Sequence, residues 1–248
     1  MTSFTAIPKV DVTAAAVAQI RDSILLGDLA PGDQLPSERE LALQLALNRT
    51  TVREALTRLE LLGLIDRRHG KRAIVLDFRR HGSMALVTHL ARLGVRGVGR
   101  SVREAAAISY EGTAALAARR RTRRGVADLE RATSAVEVAV ASGDDLAIVG
   151  ADREFHHTVA SVTGSVALEL TVSDFYRALD ASLDADGAVK RSIPRILRAI
   201  AGSGAQLPHR DLAAAIEAGD EPEARAIAGA MVTGVARRPR RGAPDRRG

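Results

Sequence analysis

The chain has 248 residues, a length that allows one large domain or two of moderate size. Hydrophobic residues make up 46% and charged residues 27%, which excludes a disordered or fibrous protein, and the absence of cysteine excludes disulfides, zinc fingers and a cysteine nucleophile. The formal net charge is +6, but six arginines against one aspartate in residues 237–248 account for most of it, so bulk charge alone does not identify a nucleic-acid partner.

Two short helices are predicted at the start of the chain. Thr13 can cap a first helix, which Gly27 closes. Ser37, with Glu40 three residues later, forms a capping box that opens a second helix, which we expect to end near Leu47.

A third helix and a hairpin follow. Asn48 can cap a helix that runs from residue 49 to about residue 62, and Gly63 ends it. Two short alternating runs, 64–68 and 72–76, flank a turn at 69–71 and predict an antiparallel hairpin. Three short helices followed by a two-stranded ribbon are the layout of a winged helix-turn-helix.

The third helix has the chemistry of a recognition helix. Its apolar stripe leaves Arg49 and Arg53, four residues apart, on the opposite face near the N-terminal end. The arginine fork matches the two acceptors of guanine in the major groove, and the hydroxyls of Thr50 and Thr51 lie where free backbone N–H groups favour phosphate. The alternative is that both arginines are solvated, with Arg53 paired to neighbouring acids; the flanking helices and hairpin favour DNA binding.

These residues carry a family resemblance. The segments PGDQLPSERELA, NRTTVREAL and RLELLGLI, within residues 17–75, closely resemble the DNA-binding domain of the GntR family of bacterial transcription regulators. The resemblance implies operator contacts by Arg39, Arg49 and Arg53 and by the wing tip at His69 and Gly70. Thr50, Thr51 and the turn residue Lys71 complete the predicted DNA contacts.

The chain departs from the family in the turn before the third helix. It has Ala46-Leu47-Asn48 where relatives usually have Gly-Val-Ser. Asparagine caps as well as serine, but the loss of glycine is expected to shift the angle between the second and third helices.

The rest of the chain is rich in alanine and helical, which predicts a mainly α protein. We expect helices near 84–93, 101–120, 124–142, 145–162, 165–184, 188–201, 208–218 and 221–236. The predicted organisation is a winged helix-turn-helix over 10–77, a linker or coupling helix over 78–99, a six- or seven-helix bundle for effector binding and dimerisation over 100–236, and a disordered arginine-rich tail over 237–248.

A possible metal site lies in the second domain. Asp152 and His156, four apart on a helix, face the same way, as two metal ligands must, and His209 could supply a third ligand. The segments DREFH and HRDLAAAIEAGDEPEARAIAGAM resemble the effector domain of the FadR branch of the family, which implies a divalent metal (Zn, Mn or Ni) held by these residues and one further histidine. Met231 stands at that last position, and a thioether is a poor ligand for these metals. The alternative is that Asp152 and His156 form a pair that holds no metal and lies on the helix surface or lines a pocket.

The sequence leaves two candidate classes of effector. The stretch from HGKRAIVLDF to GSMALVTHLARLG resembles the fatty-acid-responsive members of the branch, which implies long-chain acyl-CoA and accommodates Met231. Against this, the bundle has few aromatic side chains for such a pocket, namely Tyr110, Phe155, Phe175 and Tyr176. We rank acyl-CoA slightly ahead of a small carboxylate held by a metal.

The sequence as a whole predicts a ligand-responsive transcription regulator rather than an enzyme. It is expected to bind a double-stranded, inverted-repeat operator as a homodimer. A metal-dependent hydrolase is a remote alternative, because no general base or glycine-rich phosphate loop accompanies the cluster. With no signal-peptide pattern and no run of 18 apolar residues, we expect a cytoplasmic protein that makes no membrane contact.

Overall fold

The computed structural model describes residues 11–67, 72–184 and 188–233, and the fold is mainly α-helical. The chain divides between residues 93 and 94 into two compact units, each with a hydrophobic core. The N-terminal unit contains α1 (Val12–Leu26), α2 (Glu38–Gln44), α3 (Arg49–Leu61), β1 (Ile65–Asp66), β2 (Ile74–Val75), α4 (Phe78–His81) and α5 (Ala85–Arg92). The described part of the C-terminal unit contains seven helices: α6 (Val98–Arg120), α7 (Arg123–Ser142), α8 (Asp145–Val162), α9 (Val166–Asp184), α10 (Ala188–Gly202), α11 (Pro208–Ala218) and α12 (Glu221–Thr233). The predicted fold class is confirmed.

Two of the three N-terminal helix caps predicted in the N-terminal unit are confirmed. The capping box is present, with Ser37 N–H donating to Glu40 Oε2 at 2.7 Å, and Asn48 Oδ1 accepts from Thr51 N at 2.8 Å. The Thr13 cap is wrong: Asp11 caps α1 by accepting from Ala14 N at 2.9 Å, and Thr13 is buried in the first turn. A carboxylate two residues earlier satisfies the free N–H groups, so Thr13 is available for packing.

In the turn between α2 and α3, Ala46 stands where relatives usually have glycine. Helix α2 ends at Gln44, earlier than the predicted Leu47, because Ala46 adopts a left-handed conformation with φ of 52°. Leu47 N then donates to Ala42 O at 2.9 Å, closing the helix in the manner of a Schellman motif. Ala46 therefore takes the glycine conformation without being glycine.

We expect the substitution Ala46→Gly to raise the free energy of unfolding by about 1 kcal/mol, since an alanine in the left-handed region is strained by roughly that amount. Urea unfolding measures the effect. The matched control is Ala15→Gly within α1, where the same chemical change should lower stability by a similar amount. A loss of stability in both variants would contradict the strain at Ala46.

The hairpin is shorter than predicted but is joined by a third segment. Strands β1 and β2 pair antiparallel, with Ile65 opposite Val75. The chain before α2 extends the pairing: Leu35 N donates to Ala73 O at 2.8 Å and Val75 N to Asp33 O at 2.9 Å. The predicted turn at 69–71 lies outside the described residues. The base of the wing is thus tied to the segment that leads into α2.

Helices α4 and α5 occupy much of the segment expected to be a linker. Helix α4 was not predicted; it is a single turn capped by Asp77, whose carboxylate accepts from Arg79 N at 3.0 Å. Apolar side chains of α4, α5 and the residue after α5 pack on the N-terminal core, namely Phe78, Leu86, Leu90 and Leu93. A Cβ at Gly63, which has φ of 71°, would lie 2.0 Å from the His81 carbonyl oxygen, so this approach requires glycine.

The helical bundle is built on small side chains. Helix α6 packs along α12, and α7 along α8. The fully buried Ala114, Ala117 and Ala118 of α6 and Ala224 and Ala228 of α12 have little side-chain volume, so the helices can approach closely. In the described part of the chain, no helix is long and apolar enough to cross a membrane.

Candidate functional site

The first turns of α2 and α3 present an exposed basic surface. Arg39, Arg49, Thr50 and Arg53 are exposed, and Thr51 is half-buried. The opposite stripe of α3, consisting of Val52, Ala55, Leu56 and Leu59, is buried in the N-terminal core as the periodicity predicts. The structure therefore places all five of these predicted contact residues near one end of two helices. The predicted contacts at His69, Gly70 and Lys71 lie outside the described residues.

Glu38, which sequence reasoning did not single out, holds one of these arginines. Arg53 Nη2 donates to Glu38 Oε2 at 3.0 Å, and Arg53 Nε lies 3.4 Å from Oε1. The hydrogen bond from Arg53 and the nearby charges of Arg67 and Arg49 keep the pKa of Glu38 below its ordinary value. A second fork of the guanidinium is formed by Nη1 and by the other hydrogen of Nη2, and the contact with Glu38, made through Nε and one hydrogen of Nη2, does not include it. Glu38 thus orients the Arg53 guanidinium, and the fork of Nη1 and Nη2 can still donate to a guanine.

Two further ion pairs connect α2 to the base of the wing. Arg67 Nη2 donates to Glu38 Oε1 at 3.3 Å, and Arg67 Nη1 donates to Thr57 Oγ1 at 2.8 Å. Arg72 Nη2 lies 3.1 Å from Glu40 Oε2. The N-terminal turn of α2, the outer face of α3 and the base of the wing are therefore held together by charged side chains.

Inside the C-terminal unit, three helical side chains form a buried polar cluster. Asp152 and His156 come from successive turns of α8, and His209 comes from the first turn of α11. Asp152 Oδ1 lies 3.0 Å from His209 Nε2 and 3.6 Å from His156 Nε2. The residues are 6%, 8% and 1% exposed. The structure brings together all three residues that the sequence suggested.

Two tyrosines complete the polar cluster. Tyr176 of α9 donates its hydroxyl to Asp152 Oδ2 at 3.3 Å. Tyr110 of α6 packs edge-on against the His156 ring, with centroids 4.7 Å apart, and Phe155 packs similarly on His209. In the sequence both tyrosines stand out only as aromatic side chains, because nothing in the local spacing links α6 and α9 to Asp152.

The charge state of the cluster follows from its burial and contacts. Burial alone would raise the pKa of Asp152, but the charges and hydrogen bonds of His156 and His209 lower it below its ordinary value. Burial lowers the pKa of His209, and the hydrogen bond to Asp152 only partly opposes this. Asp152 is therefore a carboxylate at neutral pH, beside a neutral His209.

The lowered pKa of His209 predicts that acid weakens the fold. An unfolded histidine titrates near pH 6.5, so below that pH the unfolded chain gains a proton on His209 more readily than the folded chain does. Stability is therefore lost as the pH falls from 7 towards 5. In His209→Gln we expect this loss to shrink, as measured by urea unfolding at several pH values. His157→Gln, which removes an imidazole of α8 from outside the cluster, is the matched control variant.

The cluster fits a divalent metal in its donor set and spacing. One carboxylate and two imidazoles are ligands of zinc, nickel or manganese, and the three donor atoms lie within 4.8 Å of one another. Ligands about 2.0–2.2 Å from one ion are about 3–4 Å apart, so a closure of roughly 1 Å or less is needed. Three protein ligands leave coordination positions for another molecule.

Met231 stands where the resemblance implies a fourth ligand. It is half-buried and packs against the apolar core of the bundle. Its thioether adds no hard donor to the cluster. If a metal binds here, Asp152, His156 and His209 are the ligands that this chain offers.

Two family models match the chain. The model described as "Bacterial regulatory proteins, gntR family" matches residues 13–75, and the model described as "FCD domain" matches residues 111–234. The second match covers half of the chain and contains Asp152, His156, Tyr176 and His209. The first contains the exposed arginines of α2 and α3.

Several curated relatives match parts of the chain. It is 50% identical to the uncharacterized HTH-type transcriptional regulator Rv0494 of Mycobacterium tuberculosis over 23% of this chain and 24% of the relative. It is 40% identical to the HTH-type transcriptional regulator Mce2R of that species over 41% and 44%, and 30% identical to the HTH-type transcriptional regulator LutR of Bacillus subtilis over 58% and 64%. The matches thus span a quarter to under two thirds of these relatives.

Solved structures that match the chain include a Streptococcus agalactiae GntR and E. coli McbR/YncC. The first is 21% identical with a TM-score of 0.45, covering 90% of this chain and 98% of the other. The second is 18% identical with a TM-score of 0.49, covering 91% and 95%.

Proposed function

Because the chain belongs to the GntR family of bacterial regulatory proteins and carries an FCD domain, we propose that it binds an operator through α3 and the wing, and that a small carboxylate at the Asp152–His156–His209 cluster controls this binding. The burial of one carboxylate with two imidazoles supports the second part. We further propose that it acts as a cytoplasmic homodimer, since one recognition helix makes too few base contacts for selection among genomic sites.

The exposed arginines make two kinds of DNA contact, to base edges and to phosphates. Arg53, oriented by Glu38, and Arg49 reach base edges in the major groove, where the arginine fork pairs with guanine. Arg39 and the threonine hydroxyls at the start of α3 bind phosphates and fix the register. The ion pairs at the base of the wing keep the hairpin beside α3.

On the effector side, Asp152, His156 and His209 would hold a divalent metal. A bound metal supplies Lewis-acid positions for carboxylate oxygens. Neighbouring side chains position the ligands: Tyr176 holds Asp152 in place through its hydroxyl, and the Phe155 ring packs against His209. Binding can act on DNA affinity only through a different affinity of the effector for the two arrangements of the protein.

Long-chain acyl-CoA, ranked first from the sequence resemblance, is the second candidate effector. The half-buried, apolar Met231 favours it, because this side chain suits an acyl chain better than a metal. The polar cluster favours the carboxylate, because burying three ionisable groups serves no purpose for an acyl chain. We therefore place the small carboxylate first.

The test begins with selection of binding sequences from a random duplex library at fixed salt. An enriched inverted repeat is the expected result, and a library without enrichment would contradict DNA recognition. Anisotropy titrations on the selected duplex then compare acetate, malonate and citrate, each with and without Zn²⁺, with palmitoyl-CoA. Release by a carboxylate only when Zn²⁺ is present supports the proposal; release by palmitoyl-CoA alone replaces it with the second candidate.

A further inference from the structure

The hydroxyl of Tyr110 is an unused hydrogen-bond donor next to the polar cluster. Tyr110 is 5% exposed, and its Oη has no hydrogen-bond partner among the described residues. A buried hydroxyl without a partner destabilises a protein, and phenylalanine would fill the same space without that penalty. The hydroxyl is therefore unfavourable in the ligand-free protein.

The position of Tyr110 connects it to the candidate site. Its ring meets the His156 ring edge-on at 71°, with the ring centroids 4.7 Å apart. A phenol keeps its proton at neutral pH, so the hydroxyl can donate a hydrogen bond to an acceptor on a ligand. A second buried atom of the cluster, His209 Nδ1, also lacks a partner among the described residues.

The neighbouring tyrosine shows the contrast. The ring centroid of Tyr176 lies 5.8 Å from that of His156, and its hydroxyl already donates to Asp152 Oδ2. The remaining oxygen of Asp152 faces both histidines. Within the described residues, the Tyr176 hydroxyl therefore has a hydrogen-bond partner in the cluster, and the Tyr110 hydroxyl has none.

We propose that the Tyr110 hydroxyl recognises the effector by donating a hydrogen bond to one of its anionic oxygens. This inference rests on the proposed function and deepens it: the ligand must present an acceptor beside His156, so carboxylates are selected and ammonium groups are not. A hydrogen bond to a charged oxygen is stronger than one to a neutral thioester carbonyl, which also separates a carboxylate from an acyl thioester.

The test uses the full chain and the variant Tyr110→Phe. Calorimetric titrations measure Zn²⁺ first, and then acetate, malonate and citrate on the Zn²⁺-loaded protein. We expect unchanged Zn²⁺ affinity, about 10-fold weaker affinity for the carboxylate that wild type binds, and a higher melting temperature without ligand. A structural role for the hydroxyl would lower the melting temperature instead.

Tyr176→Phe is the matched control, because it loses the same atom from the same cluster. We expect its melting temperature to fall, since it deprives Asp152 of a donor. Wild-type carboxylate affinity in Tyr110→Phe would overturn the role of Tyr110 and leave the proposed effector standing. If wild type binds Zn²⁺ but none of the three carboxylates, both the effector class and this inference are overturned.

Discussion

Replacing Asp152 with asparagine is expected to weaken Zn²⁺ binding by more than about 100-fold, because Asp152 is the only carboxylate that the described residues bring to the cluster. The loss of even an outer partner of a metal ligand costs about 10- to 100-fold. The same change should lower the free energy of unfolding by about 2 kcal/mol. His209 and Tyr176 donate to different oxygens of Asp152, and asparagine has only one oxygen, so one of the two donors would face an amide NH2 group and the other a neutral oxygen instead of a carboxylate. Calorimetry and urea unfolding measure the two effects.

Glu154→Gln is the control for Asp152→Asn. Glu154 lies on the same helix, two residues away, but is exposed, so the variant loses one negative charge without disturbing the cluster. We expect wild-type Zn²⁺ affinity and a stability change within about 0.5 kcal/mol. Equal Zn²⁺ binding by wild type and Asp152→Asn would mean that the cluster is a hydrogen-bonded structural element and not a metal site.

Local signals in the sequence were sufficient for most of the helices. Among the described residues, α7, α8 and α11 begin and end within a residue of their predicted positions, because glycine, proline and capping residues mark their boundaries. The boundary between α9 and α10 at 185–187 and the predicted end of α12 at 236 lie outside the described residues. Helix α4 was missed, since a single turn capped by Asp77 carries too few residues to show a period. The early end of α2 was also missed, because a left-handed alanine is not expected from its intrinsic preference.

The candidate sites were predictable only where their residues share one helix or one motif. Asp152 and His156 are one turn apart on α8, so their spacing alone predicts a shared face. Glu38 and Tyr110 meet their partners through tertiary packing: Glu38 reaches Arg53 across 15 residues, and Tyr110 reaches His156 across two helices of the bundle. Such contacts depend on how helices pack, which periodicity does not specify.

The contact with Glu38 affects how the guanidinium of Arg53 is oriented before DNA binds. Because Glu38 accepts from Nε and Nη2 of Arg53, the guanidinium is oriented before DNA arrives and less side-chain entropy is lost on binding. The Arg53 side chain is nonetheless 63% exposed, so the Glu38 pair itself adds little to stability. Its contribution is to direct the arginine.

We therefore expect Arg53→Ala to weaken binding to the selected duplex by about 1 to 3 kcal/mol, roughly 5- to 150-fold, and to relax the preference at one base pair. Arg53→Lys separates the two components of this effect. Lysine keeps the charge but lacks the planar fork, so base preference should be lost while the dependence of affinity on salt stays near that of wild type. Anisotropy titrations on the selected duplex and its single-base variants, at several salt concentrations, measure both quantities.

Arg58→Ala is the matched control for Arg53. Arg58 is an arginine on the same helix, but it lies in the last turn and pairs with Glu54 at 2.6 Å, away from the N-terminal end that would meet the bases. Its removal should leave base preference unchanged. If Arg53→Ala binds every single-base variant with the same discrimination as wild type, Arg53 contacts only the phosphates, and base reading from α3 must then come from Arg49.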